Sequence, residues 1–204
     1  MDRTNRRLEL WAVVLISVAS VLSAWCAYQS ARWGNAQAQM YARANATRVE
    51  SLRQSGLANR QTMVDINLFV AYESALAQRS TLANFLSQRF PERLKVAVRA
   101  WLDQKPMSNV RAPSSPFVMP AYHVAAESRA EALENDAAGY FQEGVSANET
   151  ADRYVLMTVL FASVSFLAGV GSKFEVRSVA TTAMLLGSAV LLVAGAILIS
   201  YPIR

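Results

Sequence analysis

Apolar positions along this chain gather into three runs, 8–28, 154–172 and 178–201, and a long mixed segment separates only the first two. Crossing about 30 Å of hydrocarbon at 1.5 Å per residue takes roughly 20 residues. Each run is therefore long enough to cross a bilayer as a helix. The pattern predicts an all-α integral membrane protein with three transmembrane helices.

Between the first two runs the periodicity is helical. After Tyr28 the chain is rich in alanine, glutamine and arginine, and no proline occurs before Pro91. These residues favour helix, so the first span is expected to continue outward to about Gln54. Ser55-Gly56 with Asn59 is the expected break. A second helix is expected over about 60–88, with Leu68, Tyr72, Ala75, Leu82 and Leu86 on one face. Phe90-Pro91 ends it, and Pro91 suits the first turn of a third helix that buries Leu94, Ala97, Val98, Trp101 and Leu102. Four prolines make 105–120 a loop. A last helix is expected from about Ala121 straight into the second span. The first two spans thus extend into an extramembrane helical bundle or stalk covering 29–153.

Charge sets the expected orientation. Arg3, Arg6 and Arg7 lie in the segment 1–7, and Lys173 and Arg177 in the link 173–177. An odd number of spans puts both segments on one side, and the positive-inside rule makes that side cytoplasmic. Residues 29–153 and the Tyr-Pro-Ile-Arg segment then lie outside. The basic, apolar start also resembles a secretory signal, but Trp25 and Tyr28 crowd any cleavage site, so an uncleaved anchor is expected. The net charge of +5 invites a nucleic-acid reading. However, 29–153 holds 14 Lys/Arg against 12 Asp/Glu, and the rest of the excess flanks the spans. No nucleic-acid partner is expected.

Small residues recur at helical spacing in the spans. Ala19, Ser23, Ala27 and Ala31 follow one another every four residues, and Gly187 and Gly195 lie near one face of the third span. Such residues let helices approach closely in lipid, within one subunit or between subunits. Ser17, Ser20 and Ser23 form a second stripe. No span centre carries an ionisable residue, which argues against ion-coupled transport. Arg32 and Asp152 fall at similar interfacial height and are expected to pair.

Chemistry-bearing motifs are weak. The lone Cys26 forms no intrachain disulfide. His123 and Glu127 share a helix face as half a metal site, though a solvated histidine beside an acid explains them as well. Glu127, Glu131 and Glu134 make an acidic stripe, most simply a solvated face. Gly169 to Lys173 lacks the order of a phosphate loop. No serine-nucleophile signature is present. We expect no catalytic residue, metal or cofactor, and no enzyme. The best interaction feature is Phe117, Val118 and Met119, held between Pro116 and Pro120; capping of the bundle's own core is the competing use of Phe117 and Met119.

Three segments, Ala27-Tyr28-Gln29-Ser30-Ala31-Arg32-Trp33, Pro116-Phe117-Val118-Met119-Pro120-Ala121-Tyr122 and 151–159 (Ala-Asp-Arg-Tyr-Val-Leu-Met-Thr-Val), resemble an uncharacterised bacterial family of small three-span membrane proteins with one N-terminal and two C-terminal spans. The likeness covers most of the chain. It implies a bacterial cytoplasmic membrane and brings no activity, cofactor or active site. The expected function is scaffolding through protein–protein contacts, with membrane lipid around the spans and either a second copy or another membrane subunit as partner. The alternative is an oligomeric channel lined by the first span.

Overall fold

The computed structural model describes residues 3–174 and 176–204, with side chains from Arg6 onward. The expectations resting on the Arg3 side chain, on Met1 and Asp2 within 1–7, and on Glu175 within 173–177 lie outside the described residues. Among the described residues every regular element is helical. Five α-helices follow in order: α1 (Arg3–Ala77), α2 (Leu82–Gln88), α3 (Glu92–Asp103), α4 (Ala125–Gly171) and α5 (Arg177–Ile199). A 3-10 turn, Pro116–Val118, lies in the proline-rich loop. Helices α1, α4 and α5 are each long and apolar enough to cross a membrane. The chain divides into two compact units, 1–43 with 139–204, and 44–138.

The first unit packs the start of α1, the end of α4 and all of α5. Its seam pairs small residues with large ones. Helix α1 contributes Ala12, Ala19 and Cys26, while α4 contributes Tyr154, Met157, Phe161 and Val164, all buried. Ala194 and Met184 bring in α5. At Gly144 the close approach depends on glycine. A Cβ on Gly144 would meet the Tyr41 ring at 2.5 Å, and that ring stacks on Phe141 at 5.3 Å. At Gly187 a Cβ would stand in ordinary contact with α4, 3.8 Å from the Val164 carbonyl, so alanine would fit there. The outer faces of the unit are also apolar: Val14, Val18, Val21, Leu156, Val159, Phe166, Leu186 and Leu192 are all exposed. Helices that are apolar all round match a lipid surrounding.

The second unit joins the later part of α1 to α2, α3 and the start of α4. Ala44, Ser51, Ala58 and Asp65 are buried at intervals of seven residues on α1, the spacing of a left-handed coiled seam. Ser51 and Ala58 face a strip of α4 that is equally small: Ala126, Ala130 and Ala137 are buried, and the Ser51 hydroxyl donates to the Ala130 carbonyl at 2.8 Å. Where α1 meets α3 the core becomes aromatic. Phe69, Phe90, Leu94 and Val98 form it, with Tyr72, Trp101 and Phe117 packed around. Phe69 meets Trp101 and Phe117 edge-on at 5.7 Å.

Helix boundaries correct the sequence reading in one important place. The expected break at Ser55-Gly56 does not occur, and α1 runs through it to Ala77. The chain stops instead at Gln78 to Ser80. Arg79 takes a left-handed conformation (φ 51°), and the Ser80 and Arg79 amides donate back to the carbonyls of Ala75 and Leu76. This is a Schellman stop built without glycine. The segment 60–88, expected as a single helix, is therefore the end of α1, a turn, and α2. Pro91 caps α3 with φ −53° and ψ 148°, and α4 starts at Ala125 rather than Ala121.

Candidate functional site

Three polar arrangements stand out against the apolar packing. The first lies in the first unit, where residues 201–204 turn back onto α1 and α4. The Pro202 carbonyl accepts from both Trp33 Nε1 and the Tyr154 hydroxyl, each at 3.1 Å. Tyr201 packs edge-on against Tyr154 at 5.5 Å. The Arg204 amide donates to Gln29 Oε1 at 3.0 Å, and its guanidinium lies 4.7 Å above the Trp33 ring. Gln29 is fully buried, and its Nε2 has no partner among the described residues. Two open grooves flank Arg204. One, of about 510 Å³, is lined by Trp33, Glu143, Ser146 and Thr150. The other, of about 530 Å³, is lined by Arg32, Asn35, Gln39 and Met40.

The second arrangement is a buried ion pair in the second unit. Asp65 is fully buried, and Arg93 grips both its oxygens, Nε to Oδ2 at 2.6 Å and a terminal nitrogen to Oδ1 at 3.0 Å. The Tyr122 hydroxyl donates to Oδ2 at 3.0 Å. These bonds tie α1, α3 and the segment before α4 to one carboxylate. Burial raises the Tyr122 phenol above its usual range, and the Asp65 charge adds to that while the Thr62 bond opposes it. For Arg93, burial acts to lower the pKa, but the hydrogen bond and charge of Asp65 outweigh it and the net shift is upward. A carboxylate whose two oxygens are held from three segments fixes their relative geometry.

The third is a groove of about 810 Å³ in the second unit, in which Glu127, Glu131 and Glu134 meet Ser51, Phe117 and Tyr122. Glu134 pairs with Arg48 at 3.3 Å. His123 lines a different cavity, with Arg93 and Arg129. The His123–Glu127 half-site is thus split between two grooves, and the histidine ring instead meets the Ser128 hydroxyl at 3.2 Å. Among the described residues no three metal-binding side chains converge.

The residues singled out from sequence have varied surroundings. Ala19 is buried in the first unit's core, and Ser23 Oγ donates to the Thr158 carbonyl at 3.4 Å. Ala27 is exposed. Gly187 packs on α4, whereas a Cβ on Gly195 would meet nothing within 4 Å. Phe117 packs edge-on against Phe69 and Tyr122, Met119 is half-buried, and Val118 faces outward. The Arg32–Asp152 ion pair is not formed. Both side chains are exposed, and Asp152 accepts from Asn148, one turn earlier on its own helix, at 3.1 Å. Sequence reasoning missed Gln29, Asp65, Arg93 and Arg204. Asp65 had a signal, since counting sevens from Ala44 through Ser51 and Ala58 lands on it. Nothing local marks its partner Arg93, 28 residues away.

Comparison with models of protein families, with curated proteins and with solved structures gives no match.

Proposed function

We propose that this is a non-enzymatic protein of a bacterial cytoplasmic membrane, working through protein–protein contacts as a homo-oligomeric scaffold or as an accessory subunit of a membrane complex. In this reading α1, α4 and α5 cross the bilayer, and residues 44–138 form a water-exposed helical bundle. Arg6, Arg7, Lys173 and Arg177 hold the cytoplasmic side, and 29–153 with the 201–204 segment lies outside. The observation that carries the scaffold reading is the unused small-residue surface of the first unit. Ala27 and Ala31 face away from their own bundle, and Gly195 has open space where a Cβ would stand. Close helix contact in lipid needs such surfaces. Outside the membrane, Val118 adds an exposed apolar point beside the partly buried Phe117.

The test is disulfide crosslinking of Ala27→Cys in a Cys26→Ser background, in native membranes. A crosslinked dimer is expected, and Ala27→Trp in the otherwise unaltered chain should turn a dimer into a monomer by native mass measurement. A strict monomer that also brings down no co-purifying protein contradicts the reading. A channel is the second reading, favoured by one observation: Ser17 and Ser20 are exposed on α1. Ion flux through purified protein in liposomes, lost on Ser17→Leu/Ser20→Leu, separates it from a scaffold.

A further inference from the structure

The groove between Arg32 and Arg204 has a composition that its own packing does not explain. Two guanidinium groups line it together with the Asn35 and Gln39 amides, and no aspartate or glutamate side chain does. Among the described residues neither arginine has a carboxylate within 4.0 Å. Arg204 is nevertheless held in place, by the Trp33 ring beneath its guanidinium and by Gln29 Oε1 on its amide. Glu143 lines the groove on the other flank of Arg204, so an anion is disfavoured there and favoured beside Arg32.

Position along α1 sets the depth. Trp25 and Tyr28 are exposed, and such rings prefer the headgroup level. Arg32 stands one turn beyond Tyr28, a rise of about 6 Å. On α5, exposed Ile199 ends the helix and Arg204 follows five residues later. Both guanidiniums therefore lie where phosphates lie if the helices cross the bilayer. Arginine forks match phosphate oxygens two bonds at a time.

We propose that this groove binds a phosphate monoester or diester, supplied by the headgroup of an anionic phospholipid. The two arginines hold the phosphate oxygens, and the Asn35 and Gln39 amides bond to the polar headgroup beyond. The proposal rests on the transmembrane reading of the first unit. Free inorganic phosphate shares the chemistry but not the acyl chains, which the apolar faces below the groove receive.

The test uses the full chain in phosphatidylglycerol or phosphatidylcholine vesicles, with arginine modification by phenylglyoxal mapped by mass spectrometry. Phosphatidylglycerol should slow modification of Arg32 and Arg204 on the order of tenfold relative to phosphatidylcholine, with Arg53 as an unaffected control. Native mass measurement in detergent should show a retained phosphatidylglycerol that Arg32→Gln/Arg204→Gln releases and Arg32→Lys/Arg204→Lys keeps. Equal modification in the two lipids, or retention that survives the glutamine variant, overturns the proposal. So does full displacement of the lipid by millimolar inorganic phosphate, which would make the groove a site for the free ion. A chain that stays in solution without detergent would defeat the transmembrane reading instead, and is seen before any lipid is added.

Discussion

Asp65 illustrates how a single polar residue can organise the second unit. Its carboxylate is wholly buried, while the side chain of Arg93 keeps 27% of its surface in contact with solvent. The two partners are therefore not equivalent when one is removed. Arg93→Ala strands a buried charge with only Tyr122 left to bond it, a loss of about 3–5 kcal/mol. Asp65→Ala leaves an arginine that can turn toward water, and should cost less. Urea denaturation of the two variants checks the order. Equal losses would mean that Asp65 is hydrated in the folded protein.

At the scale of the element, most helices could be read from residue types, and the errors have physical causes. Of the stripe expected on α3, Leu94, Ala97 and Val98 are buried, Trp101 is partly buried, and Leu102 in the last turn is exposed. The start of α4, its end at Gly171 and both ends of α5 were also legible to within a few residues. The α1 stop was not. Glycine is the usual residue for a left-handed cap, which makes Gly56 the natural candidate. The structure puts Arg79 in that conformation and leaves Gly56 inside a helix. Two backbone bonds and the turn into α2 outweigh the roughly 1–2 kcal/mol cost of a left-handed non-glycine residue. Gly56→Ala discriminates between the accounts. A Cβ there meets only the flexible end of Arg60, at 3.7 Å. The substitution should stabilise the second unit by about 0.5–1 kcal/mol, read from its thermal midpoint. Destabilisation would signal a break at Gly56 after all. The candidate sites were less legible than the helices, since the Gln29, Trp33 and Arg204 cluster joins positions 175 residues apart. Sequence spacing carries no record of such a meeting.

On the scale of the whole molecule, two kinds of helical surface need two solvents. The first unit exposes valine, leucine and phenylalanine on α1, α4 and α5, with no charged residue from Leu10 to Ala31, from Tyr154 to Ser172 or from Ser178 to Pro202. The second unit turns glutamates and arginines outward and buries alanine and aromatic rings. The proposed arrangement, lipid around one and water around the other, would satisfy both. Single cysteines in a Cys26→Ser background, probed in intact membranes with a membrane-impermeant maleimide, test this most directly. Ser114→Cys and Ser128→Cys should label from the outer side, while Val159→Cys and Leu186→Cys should stay unlabelled until the membrane is dissolved. Rapid labelling of Val159→Cys and Leu186→Cys in intact membranes would contradict the account.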